Sequence, residues 1–558
     1  MSGRKRLRTL SGFDETKWPS EMSDTSDELQ EFINTIPSMV SYIFLSNLRN
    51  VRLLKVCRQV CYSWNVTASE SLGACSMVRI NEGDSKLSAF TALLLRRSFG
   101  PLQRLPMPFK NFNVTGMSFT DPIFLNLVHL PHIAIKSLRL KNDNAMPNLD
   151  QAQLGRVLAS KSPGITDLII CRLDNLPINN PLLTSDGIKL TALKRLIFSD
   201  SCLHPTHTQF VANILSLCKP EEMELTVRDG VHLIKLLSQD KLQNLKVLDI
   251  ILTGNYSNAW EHLVALRFLR LKSFGFYTQV VVSNLGDLQN WGLLCQSVSQ
   301  SVTEFSTNLP VSTNSVLRFP NVEILKVQNN SSMSALTPDR FPALSRVTYT
   351  VTNPLGLILE NDILPHPGVH SVTLSISTEE PAQNELFDEK FQNLLTYLKR
   401  QFPNVSSLEF SIKKFHPVTI ADICEAFPRL TTITLDGECS FFCFSSMRDH
   451  MVTSYLELGW PVEKIPRRKS ITDFMELECL TFGPAFFVTP EIVIHCLPRL
   501  PKLRRIEFQW NPSLSRPLLR DSIGHLQRIV ISNAVENISH PWLVQVFSML
   551  PNAYHIPN

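Results

Sequence analysis

One pattern recurs along most of this 558-residue chain: large apolar residues occupy the first, fourth and sixth positions of a short segment. Side chains alternate along a β-strand, so the fourth and sixth face one way and the fifth faces the other. A lone strand of this kind buries little apolar surface, whereas stacked copies share a continuous core. The clear copies are Ile135-Leu138-Leu140, Ile165-Leu168-Ile170, Leu193-Leu196-Phe198, Leu245-Leu248-Ile250, Leu266-Leu269-Leu271, Val322-Leu325-Val327, Leu344-Val347-Tyr349, Val369-Val372-Leu374, Val405-Leu408-Phe410, Leu430-Ile433-Leu435, Leu477-Leu480-Phe482, Leu503-Ile506-Phe508 and Leu526-Ile529-Ile531.

Most neighbouring copies are separated by roughly 20–30 residues, the period of leucine-rich repeats. Several copies follow a corner made of an apolar residue and proline, such as Phe319-Pro320 and Phe402-Pro403. Proline there ends a helix and starts an extended segment. The pattern predicts an α/β fold: an irregular leucine-rich-repeat solenoid of strand–loop–helix repeats over 131–558, with a parallel β-sheet on its concave face. Residues 77–130 are interpreted as a linker with irregular first repeats, and 437–474 as an exposed loop insertion or an additional degenerate repeat.

The start of the chain differs from the repeats. Residues 1–30 are polar and charged with few large apolar side chains, so we expect a disordered tail that is basic and then acidic. Residues 34–76 instead carry two helical stripes, one over 40–48 and one over 53–64. They predict an all-helical module too small for a large core of its own, which a neighbour or a partner would stabilise.

The helical module resembles an F-box. The family pattern of Leu-Pro, then Ile-Phe, a Leu and finally Val-Cys-x-x-Trp is matched by Ile36-Pro37, Ile43-Phe44, Leu48 and the segment 60–64. Met39 stands where the family often has Glu, and Arg52-Leu53 where an acidic residue is common. The match covers under a tenth of the chain, but repeats of this kind are the commonest companions of F-boxes in substrate receptors.

The resemblance implies a non-catalytic substrate receptor. F-boxes dock on a Skp-type adaptor and through it on a cullin and a RING protein, so the repeats would bind a target protein for ubiquitination. The residues implied for adaptor binding or the core of the module are Pro37, Val40, Ile43, Phe44, Leu48, Leu54, Val60, Cys61 and Trp64. Two alternatives stay open: a cap on the solenoid in a scaffold without ubiquitin, and a sensor with a small-molecule pocket on the concave face.

The sequence shows no catalytic or cofactor signature. A phosphate-binding Gly-x-x-x-x-Gly-Lys loop and a Gly-x-Ser-x-Gly elbow are both absent, so no enzyme and no cofactor are predicted. His366 and His370 flank Pro367-Gly368 without cysteine or carboxylate companions at ligand spacing, so they are interpreted as surface turn residues and no metal is predicted.

Target binding would fall to outward strand positions, between the fourth and sixth residues of each copy. The charged candidates are Arg139, Asp249, Arg270, Lys326, Glu409 and Glu507. Their signs are mixed and the net charge is only +4, which gives no support to a nucleic-acid partner. With no long apolar run and no apolar core behind the basic N-terminus, we expect no membrane span or signal peptide and a cytoplasmic or nuclear location.

Overall fold

The structure is a computed structural model that divides into two compact units. Unit 1 comprises Met1–Arg195 with Ser216–Lys219, and unit 2 comprises Leu196–Leu215 with Pro220–Asn558. The residues that the structure describes are 38–48, 51–60, 62–81, 88, 91–92, 109–115, 134–141, 158, 161, 164–171, 190–202, 214–228, 242–252, 271–278, 285–309, 317–328, 335–351, 363–376, 385–414, 419–438, 469–483, 486, 488–490, 492–509, 514, 516–523, 526–532 and 553–556.

Unit 1 begins with three short helices, the N-terminal helical module: α1 (Ser38–Asn47), α2 (Val51–Cys57) and α3 (Tyr62–Cys75). The sequence predicts one helical stripe over 53–64, but two helices share that stretch. A tight turn separates them, in which the N–H groups of Gln59 and Val60 donate to the carbonyls three residues earlier. The core of the module is small and consists of Leu45, Leu54, Ala68 and Leu72.

Asn111 joins the helical module to the sheet of unit 1. The last carbonyls of a helix have no partner within the helix. The side-chain amide of Asn111 donates to the carbonyls of Gly73, Ala74 and Ser76 at 3.1, 3.2 and 3.0 Å. The aliphatic chain of Lys110 lies across Gly73, where an added Cβ would come within 3.3 Å of it. Neighbouring residues at the start of one strand therefore fix the end of α3.

Four parallel strands form the sheet of unit 1: β1 (Met77–Asn81), β2 (Asn111–Thr115), β3 (Ser137–Lys141) and β4 (Asp167–Cys171). Each strand pairs with the next one in chain order. The inward positions are apolar and buried, as Leu138 and Leu140 show on β3. The sheet already begins at Met77, directly after α3.

Unit 2 continues the pattern with one strand per repeat. Its strands, with β5 starting at the last residue of unit 1, are β5 (Arg195–Cys202), β6 (Glu222–Arg228), β7 (Leu245–Leu252), β8 (Ser273–Thr278), β9 (Glu304–Thr307), β10 (Ile324–Gln328), β11 (Arg346–Val351), β12 (Ser371–Ile376), β13 (Ser407–Lys414), β14 (Thr432–Glu438), β15 (Cys479–Phe482), β16 (Arg505–Gln509), β17 (Arg528–Ser532) and β18 (Ala553–Ile556). From β6 to β18 every strand pairs in parallel with its successor. This order confirms the predicted parallel sheet of stacked repeats.

One repeat lies later than its predicted position. The pattern places a strand over Leu266-Leu269-Leu271, whereas β8 begins at Ser273. The buried residues of that repeat are Leu271, Phe274 and Phe276. Residues 266–270 lie outside the described part of the chain, as do 439–468 of the predicted loop insertion.

Helices stand between some of the strands of unit 2. They are α4 (Leu285–Val298), α5 (Glu385–Gln401), α6 (Thr419–Ala426) and α7 (Arg516–Ile523), with a π-helical turn at Ile492–Cys496 and 3-10 turns at Ile471–Asp473 and Leu497–Arg499. On α5 the residues of one face, including Phe391, Leu394 and Leu398, are buried. The strand–helix alternation is therefore the one predicted from the sequence.

The Phe-Pro corners form part of the core. Phe319 and Phe341 are fully buried, and their rings stack with centroids 5.1 Å apart and planes 1° from parallel. Phe305 extends the stack, 4.9 Å from Phe319. The carbonyls of Phe319 and Phe341 each accept from the N–H three residues later, which makes the turn into the next strand. Aromatic pairs at such distances stabilise a core beyond simple burial.

Candidate functional site

Helices α1 and α2 expose an unusual number of apolar side chains. Twelve large hydrophobic residues are exposed in the part of the chain that the structure describes, and seven of these lie between Met39 and Val56. Their exposed fractions range from 50% for Leu53 to 72% for Met39. We call these seven the α1–α2 apolar set: Met39, Val40, Tyr42, Ile43, Phe44, Leu53 and Val56.

Helix geometry groups most of this set on one side of α1. Residues three and four apart lie next to each other on a helix, and Met39, Val40, Ile43 and Phe44 have this spacing. On α2, Leu53 and Val56 are three apart. Contiguous exposed apolar surface is typical of an interaction site. The ring of Phe44 is also 6.3 Å from that of Trp64, so one member of the set touches the body of the module.

The residues implied for adaptor binding fall into different environments. Val40, Ile43 and Phe44 are exposed, whereas Leu48 and Trp64 pack against the core and Val60 is half-buried. Leu54 is fully buried in the core of the module, which is one of the two roles that the resemblance implies for these residues. Pro37 and Cys61 lie outside the described residues.

The residues that the F-box resemblance implies do not include four members of the apolar set: Met39, Tyr42, Leu53 and Val56. A usable signal exists for Leu53. Adjacent leucines on a helix point about 100° apart, so a module with a narrow core has room for only one of Leu53 and Leu54 at its centre. Leu53 is half-exposed while Leu54 is fully buried.

The predicted target-binding residues of unit 2 lie on a single row of the sheet. The strand register links outward positions from one strand to the next. We call it the outward row: Thr226, Asp249, Gly275, Ser306, Lys326, Thr348, Thr373, Glu409, Thr434, Thr481 and Glu507. Asp249, Lys326, Glu409 and Glu507 all belong to it.

The two remaining charged candidates are placed differently. Arg270 precedes β8, lies outside the described residues, and its expected place beside Asp249 is taken by Gly275. Arg139 is on β3 of unit 1, where it pairs in register with Asn113 and is half-buried. The buried Nε of Arg139 and Oδ1 of Asn113 have no hydrogen-bond partner.

Several charges of the outward row are engaged within the sheet. Glu409 accepts a hydrogen bond from the hydroxyl of Thr373 at 3.0 Å. Glu507 pairs with Arg505 of its own strand at 3.1 Å, with both side chains partly exposed. An exposed pair of this kind contributes about 0–1 kcal/mol, so it holds these side chains without making them costly to displace.

Asp249 is the least satisfied carboxylate of the row. It is half-buried and accepts one hydrogen bond, from the Thr226 hydroxyl to Oδ2 at 3.4 Å. Burial raises the pKa of Asp249, and the nearby Glu304 and Glu224 carboxylates add to this. The Thr226 hydrogen bond and the Lys326 ammonium act in the opposite direction.

Metal-ligating side chains do not cluster in the described residues. No group of three or more His, Cys, Asp or Glu side chains there could hold a metal ion. Burial raises the pKa of the Cys57, Cys295 and Cys424 thiols, which makes them poor nucleophiles. None of the described helices is long and apolar enough to cross a membrane, the 17-residue α5 included.

His366 differs from its interpretation as a surface turn residue. It is 1% exposed, its backbone N–H donates to the Gln401 carbonyl at 2.6 Å, and its Nε2 lies 2.9 Å from the Phe341 carbonyl. Since a carbonyl only accepts, Nε2 carries the hydrogen. Gly368 makes room for the ring, because a Cβ there would sit 3.3 Å from His366 Cε1.

No protein-family model and no curated protein sequence matches the chain. Among solved structures, the crystal structure of a TLR13–ssRNA13 complex is similar over 88% of this chain and 75% of that one, with a TM-score of 0.29 and 12% identity. CroV588, described as a novel circular LRR protein, is similar over 75% of this chain and 49% of its own, with a TM-score of 0.24 and 10% identity. At these scores the repeat architecture rests on the strand register of this chain alone.

Proposed function

We propose that the protein is the substrate-recognition subunit of a Skp–cullin–F-box ubiquitin ligase. In this role the helical module docks on the Skp-type adaptor, and the outward side of the sheet binds a target protein. Binding both at once raises the local concentration of target lysines near the conjugating enzyme. The protein itself performs no chemistry.

The α1–α2 apolar set carries the proposal. The module has a core of only four residues and exposes seven large apolar side chains. A partner that buries these side chains would stabilise so small a module. Burying such side chains contributes roughly 25 cal/mol per Å² of apolar area, which favours a permanent partner. The exposed Val40, Ile43 and Phe44 coincide with positions that the F-box pattern implies for the adaptor.

The contacts of Asn111 also support the proposal. The helical module of a receptor must be fixed to the repeats that follow it. The three hydrogen bonds of Asn111 tie the last turn of α3 to the first strands of unit 1. They remove the freedom that an open linker after α3 would have.

The second candidate function is a repeat scaffold without ubiquitin. The same Asn111 contacts favour it, because a helical cap on the end of a sheet would be joined in this way. Such a cap would need no partner for its exposed residues. Adaptor binding separates the two functions.

The test is binding of the full chain to purified Skp-type adaptor by titration calorimetry. We expect tight binding, and a loss of at least about 100-fold for the Val40→Asp/Ile43→Asp double variant, because charges would replace two exposed apolar contacts. Leu364→Asp is the matched control, since Leu364 is 61% exposed on unit 2. Hydrogen exchange over residues 38–76 checks that the double variant keeps its helices.

Two outcomes contradict the ligase role. A full chain that does not bind the adaptor leaves the scaffold function. Adaptor binding that the double variant retains, with helices intact, shows that the α1–α2 apolar set is not the docking surface.

A further inference from the structure

The first strands of unit 2 place a polar cluster on the outward row. Thr226, Asp249, Gly275 and Ser306 are paired one after another on β6 to β9, and Ser306 pairs with Lys326 on β10. Adjacent strands lie about 4.8 Å apart, so side chains of this group on neighbouring strands are within reach of each other. We call this group the Asp249 cluster: Thr226, Asp249, Tyr277, Glu304, Ser306 and Lys326.

Gly275 shapes the centre of the cluster. A Cβ at this position would collide with Oδ1 of Asp249, so the carboxylate lies over the bare backbone of the next strand. Its other oxygen faces Thr226 on the preceding strand. The carboxylate group therefore lies along the outward row, across the backbone of β8. Only a glycine on β8 leaves room for it.

The carboxylate of Asp249 accepts fewer hydrogen bonds than its two oxygens allow. Two carboxylate oxygens offer about four acceptor positions. The one hydrogen bond, from Thr226, is long at 3.4 Å. A half-buried anion with so little compensation is costly to the folded protein, and a partner that brings several N–H donors would remove that cost.

The charged side chains around Asp249 favour a positively charged partner. Glu304 is held by Lys326 in a 2.5 Å ion pair with both side chains partly exposed. Asp249 interacts with the Glu304 and Glu224 carboxylates and with the Lys326 ammonium, so the carboxylates outnumber the one cation around it. Tyr277, hydrogen-bonded to Ser306, adds an aromatic ring on the same side of the sheet.

Among cations, a guanidinium fits this set best. The described residues hold no trio of metal-ligating side chains, so the cluster does not form a metal cage. A guanidinium presents planar paired N–H donors that match a carboxylate, and its face packs on aromatic rings. An ammonium offers neither the paired donors nor the flat face.

We propose that the Asp249 cluster binds an arginine side chain of the target protein, with the guanidinium on the Asp249 carboxylate and against Tyr277. The inference rests on the proposed role of the sheet in target binding and names the chemistry that the target must carry. Glu304 and Lys326 border the site and would select the residues that flank the arginine.

The experiment selects peptides from a random library displayed on phage against the purified full chain. We expect one position to converge on arginine. In the recovered peptide, replacing that arginine by citrulline keeps the shape, removes the charge and should weaken binding at least about tenfold. Lysine at the position should weaken binding less than citrulline does.

Variants of the protein test the site itself. Asp249→Asn removes the charge, and Gly275→Ala keeps the charge but displaces the carboxylate, so each should weaken the peptide at least about tenfold. Glu476→Gln is the matched control, because it removes an exposed carboxylate that pairs with Lys502 outside the outward row, and it should leave binding unchanged.

Three outcomes overturn the proposal: a selection that yields no peptide, a selection without a basic residue, and an arginine peptide that Asp249→Asn binds as well as the wild type. The selection uses no adaptor, so its result is independent of the ligase role. If the chain selects arginine peptides but does not bind the adaptor, the Asp249 cluster is a binding site of a repeat scaffold without ubiquitin.

Discussion

The side-chain amide of Asn111 donates to the carbonyl of Gly73 at 3.1 Å, across the junction between the last helix of the module and the second strand of the sheet. The same nitrogen also lies within hydrogen-bonding distance of the Ala74 and Ser76 carbonyls, so its two hydrogens are shared among three acceptors at the C-terminus of α3. Few side chains accomplish this, because the position needs two donors on one short arm. Asparagine provides both on its amide nitrogen.

Replacing Asn111 should loosen the module. Asn111→Ala leaves helix-end carbonyls without donors, and we expect the free energy of unfolding to fall by about 1–2 kcal/mol. Asn111→Asp should cost more, since a carboxylate would face the negative end of the helix. Asn404→Ala, which removes a single exposed bond to the Pro367 carbonyl, is the control. Hydrogen exchange over 62–81 should rise in the Asn111 variants and stay unchanged in the control.

Leu53 and Leu54 provide a matched pair for the core of the module. Leu54→Ala removes a fully buried side chain and should lower the free energy of unfolding by about 2–5 kcal/mol. Leu53→Ala, half-exposed on the same helix, should change it by less than about 0.5 kcal/mol. Urea denaturation followed by hydrogen exchange over 38–76 measures both. Equal effects of the two substitutions would contradict the assigned orientation of α2.

Phe319 stacks between two other aromatic rings, those of Phe305 and Phe341. Phe319→Ala should therefore lower the free energy of unfolding of unit 2 by about 3–5 kcal/mol. Phe319→Leu keeps most of the volume and should cost less. Calorimetric melting of the full chain gives both values, with the exposed Leu364→Ala as the control. A Phe319→Ala variant with the same melting temperature as the wild type would rule out the stack as a stabilising element.

Asp249 should make stability depend on pH. Burial raises its pKa above the ordinary value of 3.8, so the folded protein holds this proton more tightly than the unfolded chain does. The sign follows from linkage: its charge costs nothing below 3.8, and the cost grows as the pH rises through the folded pKa. Asp249→Asn should therefore melt above the wild type at neutral pH, and the difference should shrink toward acid. A variant that melts below the wild type at neutral pH would contradict this account.

The repeat pattern predicts the outward row well. It identifies Asp249, Lys326, Glu409 and Glu507 as equivalent positions on four strands, and the register aligns all four. The prediction succeeds because strand alternation is a local property. A residue between two buried positions faces outward whatever the rest of the chain does.

The pattern fails where two matches overlap. Leu271 ends one match with Leu266 and Leu269 and begins another with Phe274 and Phe276. Gly275 makes the second match a poor strand by local preference. The contacts of Phe274 with Phe305, and of Phe276 with Trp291, select it nevertheless. Those partners are distant in sequence, and no local pattern contains them.

Burial of single polar side chains is equally hard to read from the sequence. A histidine next to Pro-Gly is typical of an exposed turn, yet His366 lies inside because Phe341 and Gln401 supply backbone partners from other repeats. The exposed residues of α1 pose the opposite problem. A helical stripe looks the same whether its partner is in the same chain or in another one.

The register of β14 and β15 has a consequence for how such a chain can evolve. Thr432 pairs with Cys479 and Leu435 with Phe482, although residues 439–478 separate the two strands along the chain. The two strands are direct neighbours in the sheet whatever the length of the segment between them. In a repeat array each unit contacts mainly the units next to it, so sequence can be gained or lost between two strands without disturbing the ladder. New recognition segments can therefore be acquired at such a joint while the older repeats keep their places.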